Sequence, residues 1–130
     1  MSDYKVGPVM ATADMDAARN FYESKLGLKA GGDPPEDPSV PISYPCGGGT
    51  AISVYLSPDH AGKSTATMVD WTVDDLESVV DELISNGVSF EQYDAEGIKT
   101  NEKGIIDLGE GNFVAFFRDP DGNTHAITQG

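Results

Sequence analysis

Residues 68–90 read MVDWTVDDLESVVDELISNGVSF, and residues 6–29 read VGPVMATADMDAARNFYESKLGLK. Both stretches run from a strand-like segment through an aspartate into an amphipathic helix, a glycine and further strand-like residues. A unit that occurs twice in one chain indicates a repeated supersecondary structure. We therefore predict two related modules whose equivalent positions line one concave surface, where a binding site would lie.

Each module is predicted to have the element order βαβββ. Asp14 is the expected cap of the first helix, and Asp74 with Glu77 has the spacing of a capping box at the second. Strand-like segments are predicted over residues 5–11, 28–30, 42–46, 50–56, 67–73, 88–93, 113–118 and 124–129, with a short extra strand at 105–108. The glycines of residues 47–50 are expected to form a hairpin turn.

The chain has 130 residues and a formal net charge of −14 at pH 7. This length fits a single domain, with module 1 over about residues 1–58, a linker over about 59–64 and module 2 over about 65–130. The charge opposes binding to nucleic acid and to anionic membrane surfaces, because like charges repel. We predict neither partner.

No apolar run has the length of a membrane span, and the first residues, MSDYKVG, lack the basic and apolar regions of a signal peptide. The single cysteine, Cys46, rules out an internal disulfide and suits a reducing compartment. We therefore expect a cytoplasmic protein. The segment around Cys46 supplies no base that would form a thiolate, which favours a small buried apolar residue over a nucleophile.

Three segments together resemble the vicinal oxygen chelate superfamily, which contains glyoxalase I, bleomycin-resistance proteins, fosfomycin-resistance enzymes and extradiol dioxygenases. They are Asp14 with the following FYESKLGL, then WTVDDLESVVDELISNGVSF, and finally FFRDPDGNTHAITQ. The resemblance implies an α+β fold of two tandem βαβββ modules whose curled mixed sheets form a cup. It also implies that the chain pairs as a homodimer.

The resemblance further implies where a metal would be held in catalytic members, namely by His or Glu on the first and last strands of each module. In this chain those positions are Gly7, Ile52, Met68 and Ala126. None of them carries the nitrogen or oxygen donors that Mn, Fe, Ni or Zn require. We therefore predict no metal and no cofactor, as in the branch typified by bleomycin resistance.

Asp70 is the candidate catalytic residue, because it lies two residues after Met68 and should share its face of the strand. Enclosure could make this carboxylate a general base or a partner for a cationic ligand, whereas at an open rim it would only be hydrogen-bonded. His125 neighbours Ala126, and the alternation of a strand directs it to the opposite face, toward the helices. His60 lies in the linker and is expected to be solvated.

We predict a metal-independent protein that binds a small organic molecule, and the negative charge of the chain favours a cationic one. The predicted ligand-binding residues are Val9, Ile52, Val54, Met68, Asp70, Phe116 and Ala126. Two alternatives stay open. One is a lyase or isomerase, either metal-free with Asp70 as acid and base or with a displaced metal site, and the other is a structural protein that acts through its dimer surface.

Overall fold

The computed structural model describes residues 1–130 and divides them into two compact units. The first unit contains Met1–Ser64 together with Pro120–Gly122. The second contains Thr65–Asp119 and Asn123–Gly130. Both units have mixed sheets and one helical region, so the α+β class predicted from the sequence is confirmed.

The first unit is a three-stranded sheet with one helical region. Strand β1 covers Val9–Thr12, β2 covers Ile42–Pro45 and β3 covers Ala51–Leu56. The sheet order is β1-β3-β2, with β1 parallel and β2 antiparallel to β3. A short 3₁₀ turn at Gly47–Gly49 joins β2 to β3, which confirms the predicted hairpin.

Helix α1 covers Met15–Arg19 and continues as a π-helical segment over Asn20–Lys25. Asp14 caps it as predicted, because its carboxylate accepts a hydrogen bond of 3.1 Å from the amide of Ala17. The wider turn ends where the amide of Leu26 donates to the carbonyl of Phe21, five residues back.

The core of the first unit lies between the helical region and one face of this sheet. The ring of Tyr22 stacks on that of Tyr44, with the centroids 5.9 Å apart, and its hydroxyl donates to the sulfur of Met10. Ile52 and Val54 are also fully or almost fully buried and share this face of the sheet. The core therefore uses every second residue of β3.

The second unit has a four-stranded sheet, one helix and a small hairpin. Strand β4 covers Thr67–Thr72, and helix α2 covers Leu76–Ser85. The remaining strands are β5 at Asp94–Ala95, β6 at Ile98–Lys99, β7 at Ile105–Gly109, β8 at Asn112–Arg118 and β9 at Thr124–Gln129. The sheet order is β4-β9-β8-β7, with β4 parallel to β9. The order β1-β3-β2 in the first unit corresponds to the order β4-β9-β8 in the second, as the sequence repeat predicts.

Three local predictions were wrong. Asp75, not Asp74, caps α2, since its side chain accepts from the amide of Ser78. Residues 28–30 form no strand: the amide of Leu28 bonds back to Tyr22, and the bond from Gly31 to Ser43 is not continued, because glycines and prolines follow. Residues 88–93 form only an isolated bridge and no ladder strand. The first strand after α2 that joins the four-stranded sheet is instead β7, at the place of the predicted short extra strand.

Candidate functional site

The sheet of the second unit has one face toward α2 and one face turned away from it, which we call the far face. The amide of Leu76 at the start of α2 donates to the side chain of Gln129, which fixes the helix side of β9. His125 lies four residues before Gln129 in the strand, so its side chain points to the same side. Ala126 and Thr128 lie on the far face.

His125 is fully buried on the helix side, where the alternation of strand residues predicts it. Its Nδ1 accepts a hydrogen bond of 3.1 Å from the indole of Trp71, and its ring stacks on Phe117 with centroids 4.8 Å apart. Burial lowers the pKa of His125 to about 4, because desolvation disfavours the charged imidazolium. This histidine is therefore a neutral core residue that faces away from Ala126.

The far face of the second unit carries an apolar cluster, formed by Ile106, Val114 and Ala126 with Tyr93 and Phe116 packed against them. The register explains the grouping, since Val114 pairs with Ile106 on β7 and Phe116 pairs with Ala126 on β9. The rings of Tyr93 and Phe116 meet edge to face, with centroids 6.1 Å apart. Two predicted ligand-binding residues, Phe116 and Ala126, thus lie in one cluster.

A cavity of about 510 Å³ adjoins this apolar cluster. Its lining includes Gln92, Tyr93, Asp94, Lys99, Thr100 and Glu102. The hydroxyl of Thr100 accepts a bond from the amide of Tyr93 and lies 3.1 Å from the amide oxygen of Gln92, so these walls are held in place. Tyr93 belongs both to the cavity lining and to the apolar cluster, so the two features meet at this residue.

Asp70 and Met68 lie on β4, at the edge of the sheet. The carboxylate of Asp70 is exposed and accepts a 3.0 Å hydrogen bond from the hydroxyl of Thr128. Its backbone pairs with Ala126, which places Asp70 beside the apolar cluster on the far face. Met68 is 37% exposed. Asp70 is therefore a hydrogen-bonded carboxylate in an open position, the second of the two arrangements considered for it above.

The predicted residues of the first unit do not lie together. Val9 is 55% exposed and pairs with Ser53 on the face of the sheet turned away from the helical region, the far face of this unit. Ile52 and Val54 lie on the other face, in the core around Tyr22. The alternation of β3 therefore places Ser53, not Ile52 or Val54, on the face that Val9 shares.

Sequence reasoning missed several residues of these surfaces. Ile106 and Val114 were not singled out, although their alternation with charged or opposite-facing neighbours is visible in the sequence. Tyr93 was one of several aromatic candidates, and only the chain path between α2 and β7 brings it to Phe116. In the first unit, the Nζ of Lys5 lies 3.4 Å from the position that a Cβ of Gly49 would occupy. Nothing in the sequence indicated this contact, because it depends on the turn between β2 and β3.

The profile of the Glyoxalase/Bleomycin resistance protein/Dioxygenase superfamily matches residues 6–127, nearly the whole chain. The chain belongs to this superfamily. None of the proteins with curated descriptions matches it.

Several solved structures are similar to this chain over nearly its full length. UcmS2 has a TM-score of 0.74 at 18% identity, with 96% of each chain covered. TnmS3, an antibiotic binding protein from Streptomyces sp. CB03234, has a TM-score of 0.66 at 18% identity, with 97% of this chain and 96% of TnmS3 covered. A glyoxalase / bleomycin resistance protein from Catenulispora acidiphila DSM 44928 has a TM-score of 0.66 at 23% identity, with 97% of each chain covered. At these identities the likeness shows the fold alone.

The superfamily's metal does not fit the residues present in this member. Ser53 replaces Ile52 as the relevant position of β3, because Val9 pairs with Ser53 as Asp70 pairs with Ala126. At Gly7 a side chain is excluded, since a Cβ would collide with the backbone carbonyl of Ala51. Ala126 is buried in the apolar cluster and offers no donor.

The rest of the superfamily member offers no substitute set of ligands. No group of three or more His, Cys, Asp and Glu side chains is placed to hold a metal ion. Cys46 forms no disulfide, and burial raises the pKa of its thiol.

Neither helix has the length and apolar composition needed to cross a membrane.

Proposed function

We propose that this superfamily member binds a small organic molecule, without the metal of its catalytic relatives, at the apolar cluster and adjoining cavity of the second unit. The observation that carries the proposal is the cavity of about 510 Å³ whose wall, Tyr93, packs on Phe116. This volume lies in the range of about 300–1,000 Å³ that is usual for small-molecule sites.

Apolar contact would supply most of the affinity in this proposal. Phe116 is half-buried and its ring contacts Tyr93, so a planar apolar ligand would cover surface that now contacts water. Polar orientation would come from the groups that line the cavity, chiefly the amide of Gln92 and the hydroxyls of Thr100 and Tyr93. A structurally similar protein, TnmS3, is described as antibiotic binding, which supports a binding role.

The ligand is proposed to be neutral or cationic. Asp94 and Glu102 line the cavity with one cation, Lys99, and the chain carries a net charge of −14. Asp70 adds a further exposed carboxylate on the far face of the same sheet. This field lowers the energy of a positive group near the site and raises that of a negative one.

The proposal is tested by titrating the protein with 2-naphthylmethylamine, 2-naphthol and 2-naphthoate and following backbone amides by NMR. The amine and the naphthol are expected to shift the amides of Tyr93, Thr100 and Phe116 saturably, with the amine binding more tightly than the naphthoate. Phe116→Ala should weaken binding about tenfold, because Tyr93, the apolar wall of the cavity, loses the ring on which it packs. Phe113→Ala is the matched control, since Phe113 is a half-buried ring of the same strand on the opposite face.

Two results would contradict the proposal. Equal weakening by both phenylalanine substitutions would show a general loss of structure and no site at Phe116. Stoichiometric divalent metal, detected by native mass spectrometry of protein purified without chelator, would contradict the metal-free part. The enzyme alternative centred on Asp70 stays a prediction, as do the homodimer and the cytoplasmic location.

A further inference from the structure

A second cavity, of about 240 Å³, lies in the first unit. The segment before β1 forms one wall with Lys5 and Gly7, and the turn after β2 contributes Gly49. Ala51 and Ser53 of β3 also line the cavity. None of the residues that line this cavity is an aspartate or a glutamate. In a chain with 22 acidic residues, the lack of a carboxylate in this lining favours the approach of an anion.

The ammonium group of Lys5 lies over the turn. Its Nζ is 3.4 Å from the position that a Cβ of Gly49 would occupy, so the glycine leaves room for the lysine side chain. Lys5 forms no ion pair, in contrast to Arg19, Lys103 and Arg118, each of which faces a carboxylate. Its charge is therefore available to a ligand.

Ser53 supplies a second donor to the same cavity. Its side chain alternates with the buried Ile52 and Val54 and lies on the far face beside Val9. The backbone amide of Ser53 donates a hydrogen bond to the carbonyl of Pro8, whereas the hydroxyl of Ser53 makes no hydrogen bond within the protein. An ammonium and a hydroxyl at one cavity are the donor pair that a carboxylate accepts.

We propose that this cavity binds the carboxylate of a small organic acid, with the Lys5 ammonium as counter-charge and the Ser53 hydroxyl as hydrogen-bond donor. Gly7 and Ser53 occupy two of the positions that hold the metal in catalytic superfamily members, and Lys5 brings a positive charge next to them. The residues of this cavity therefore fit an anion better than the superfamily's metal ion. This site is in the first unit and does not depend on the proposed function of the second.

The test is an NMR titration with benzoate, benzyl alcohol and benzylamine, read at the amides of Gly7, Gly49 and Ser53. Benzoate is expected to shift these amides saturably, and the alcohol and the amine are not. Lys5→Met should weaken benzoate binding at least fivefold, and Lys5→Arg should retain it. The matched control is Lys29→Met, because Lys29 is an exposed lysine of the same unit outside the cavity.

Salt provides a measurement that needs no variant. Raising sodium chloride from 20 to 300 mM, about a fourfold shortening of the Debye length, should weaken benzoate binding to the wild-type protein. Equal shifts with benzyl alcohol, equal affinity in Lys5→Met, or no saturable shift at these amides would overturn the proposal. Shifts confined to Tyr93 and Phe116 would also overturn it while leaving the site of the second unit intact.

Discussion

The buried imidazole of His125 makes the stability of the protein depend on pH. Its pKa is lowered from the usual 6.5 to about 4, because the side chain is fully buried. Between these two values the unfolded chain binds a proton at this imidazole and the folded protein does not. The free energy of unfolding therefore decreases as the pH falls from about 6.5 toward 4.

The size of this effect follows from the two pKa values. Their difference of about 2.5 units corresponds to about 3 kcal/mol when the pH is below both values. At pH 5 the expected loss relative to pH 8 is about 2 kcal/mol, because the unfolded imidazole is then nearly fully protonated. Protonation in the folded state would also convert Nδ1 into a donor and break the bond from Trp71.

The assay is urea unfolding at pH 5, 6, 7 and 8, followed by circular dichroism, for the wild-type protein and His125→Gln. The 22 acidic residues also titrate at low pH, and comparing the two proteins cancels that contribution. The wild type should lose about 2 kcal/mol more than His125→Gln between pH 8 and pH 5. His60→Asn is the control, since His60 is exposed and bonded only to Ser57.

The reasoning would be refuted by parallel pH profiles of the wild type and His125→Gln. It would also be refuted if the ring protons of His125 titrated near pH 6.5 in the folded protein. That NMR measurement uses the wild type alone, so it remains decisive even if His125→Gln does not fold.

Three further substitutions test the local structure. Asp75→Ala should lower the midpoint of thermal unfolding more than Asp74→Ala, because only Asp75 accepts a bond from the first turn of α2; equal effects would contradict the assigned cap. Gly7→Ala should cost about 1–3 kcal/mol in urea unfolding, since its Cβ meets the carbonyl of Ala51, and an unchanged midpoint would show that this approach is loose. Thr124→Val should keep stability or raise it by about 1 kcal/mol, because the buried hydroxyl has no partner; a large loss would reveal one.

The repeated strand and helix pattern was enough to predict the class of fold and most strands. Alternation within β9 correctly directed His125 to the helix side, because a strand has a strict period of two. Alternation also holds in β3, but the count began from the wrong residue and so assigned Ile52 in place of Ser53. A shift of one residue reverses every face, so only the pairing of Val9 with Ser53 corrects it.

The cavities were less predictable than the strands for a physical reason. The cavity beside Tyr93 is lined by residues 92–94 and 99–102, whereas the sequence predicted a strand over residues 88–93 and no strand over residues 94–104. Residues 94–99 instead form the small β5–β6 hairpin, which is held by bonds such as that from the amide of Tyr93 to Thr100. Such contacts depend on the path of the chain and not on a local period, so no pattern in the sequence indicated them.

The motif DPDGN shows why the fold could be recognised without its chemistry. Asp119 accepts bonds from the amide and the side chain of Asn123, which closes the turn between β8 and β9. Asp121 accepts from the hydroxyl of Thr12 and the amide of Ala13, both in the first unit, to which Asp121 itself belongs. These residues satisfy backbone and side-chain groups of the fold whatever stands at Ala126. The motif therefore predicts the architecture, whereas the donors at the strand positions decide what the site can hold.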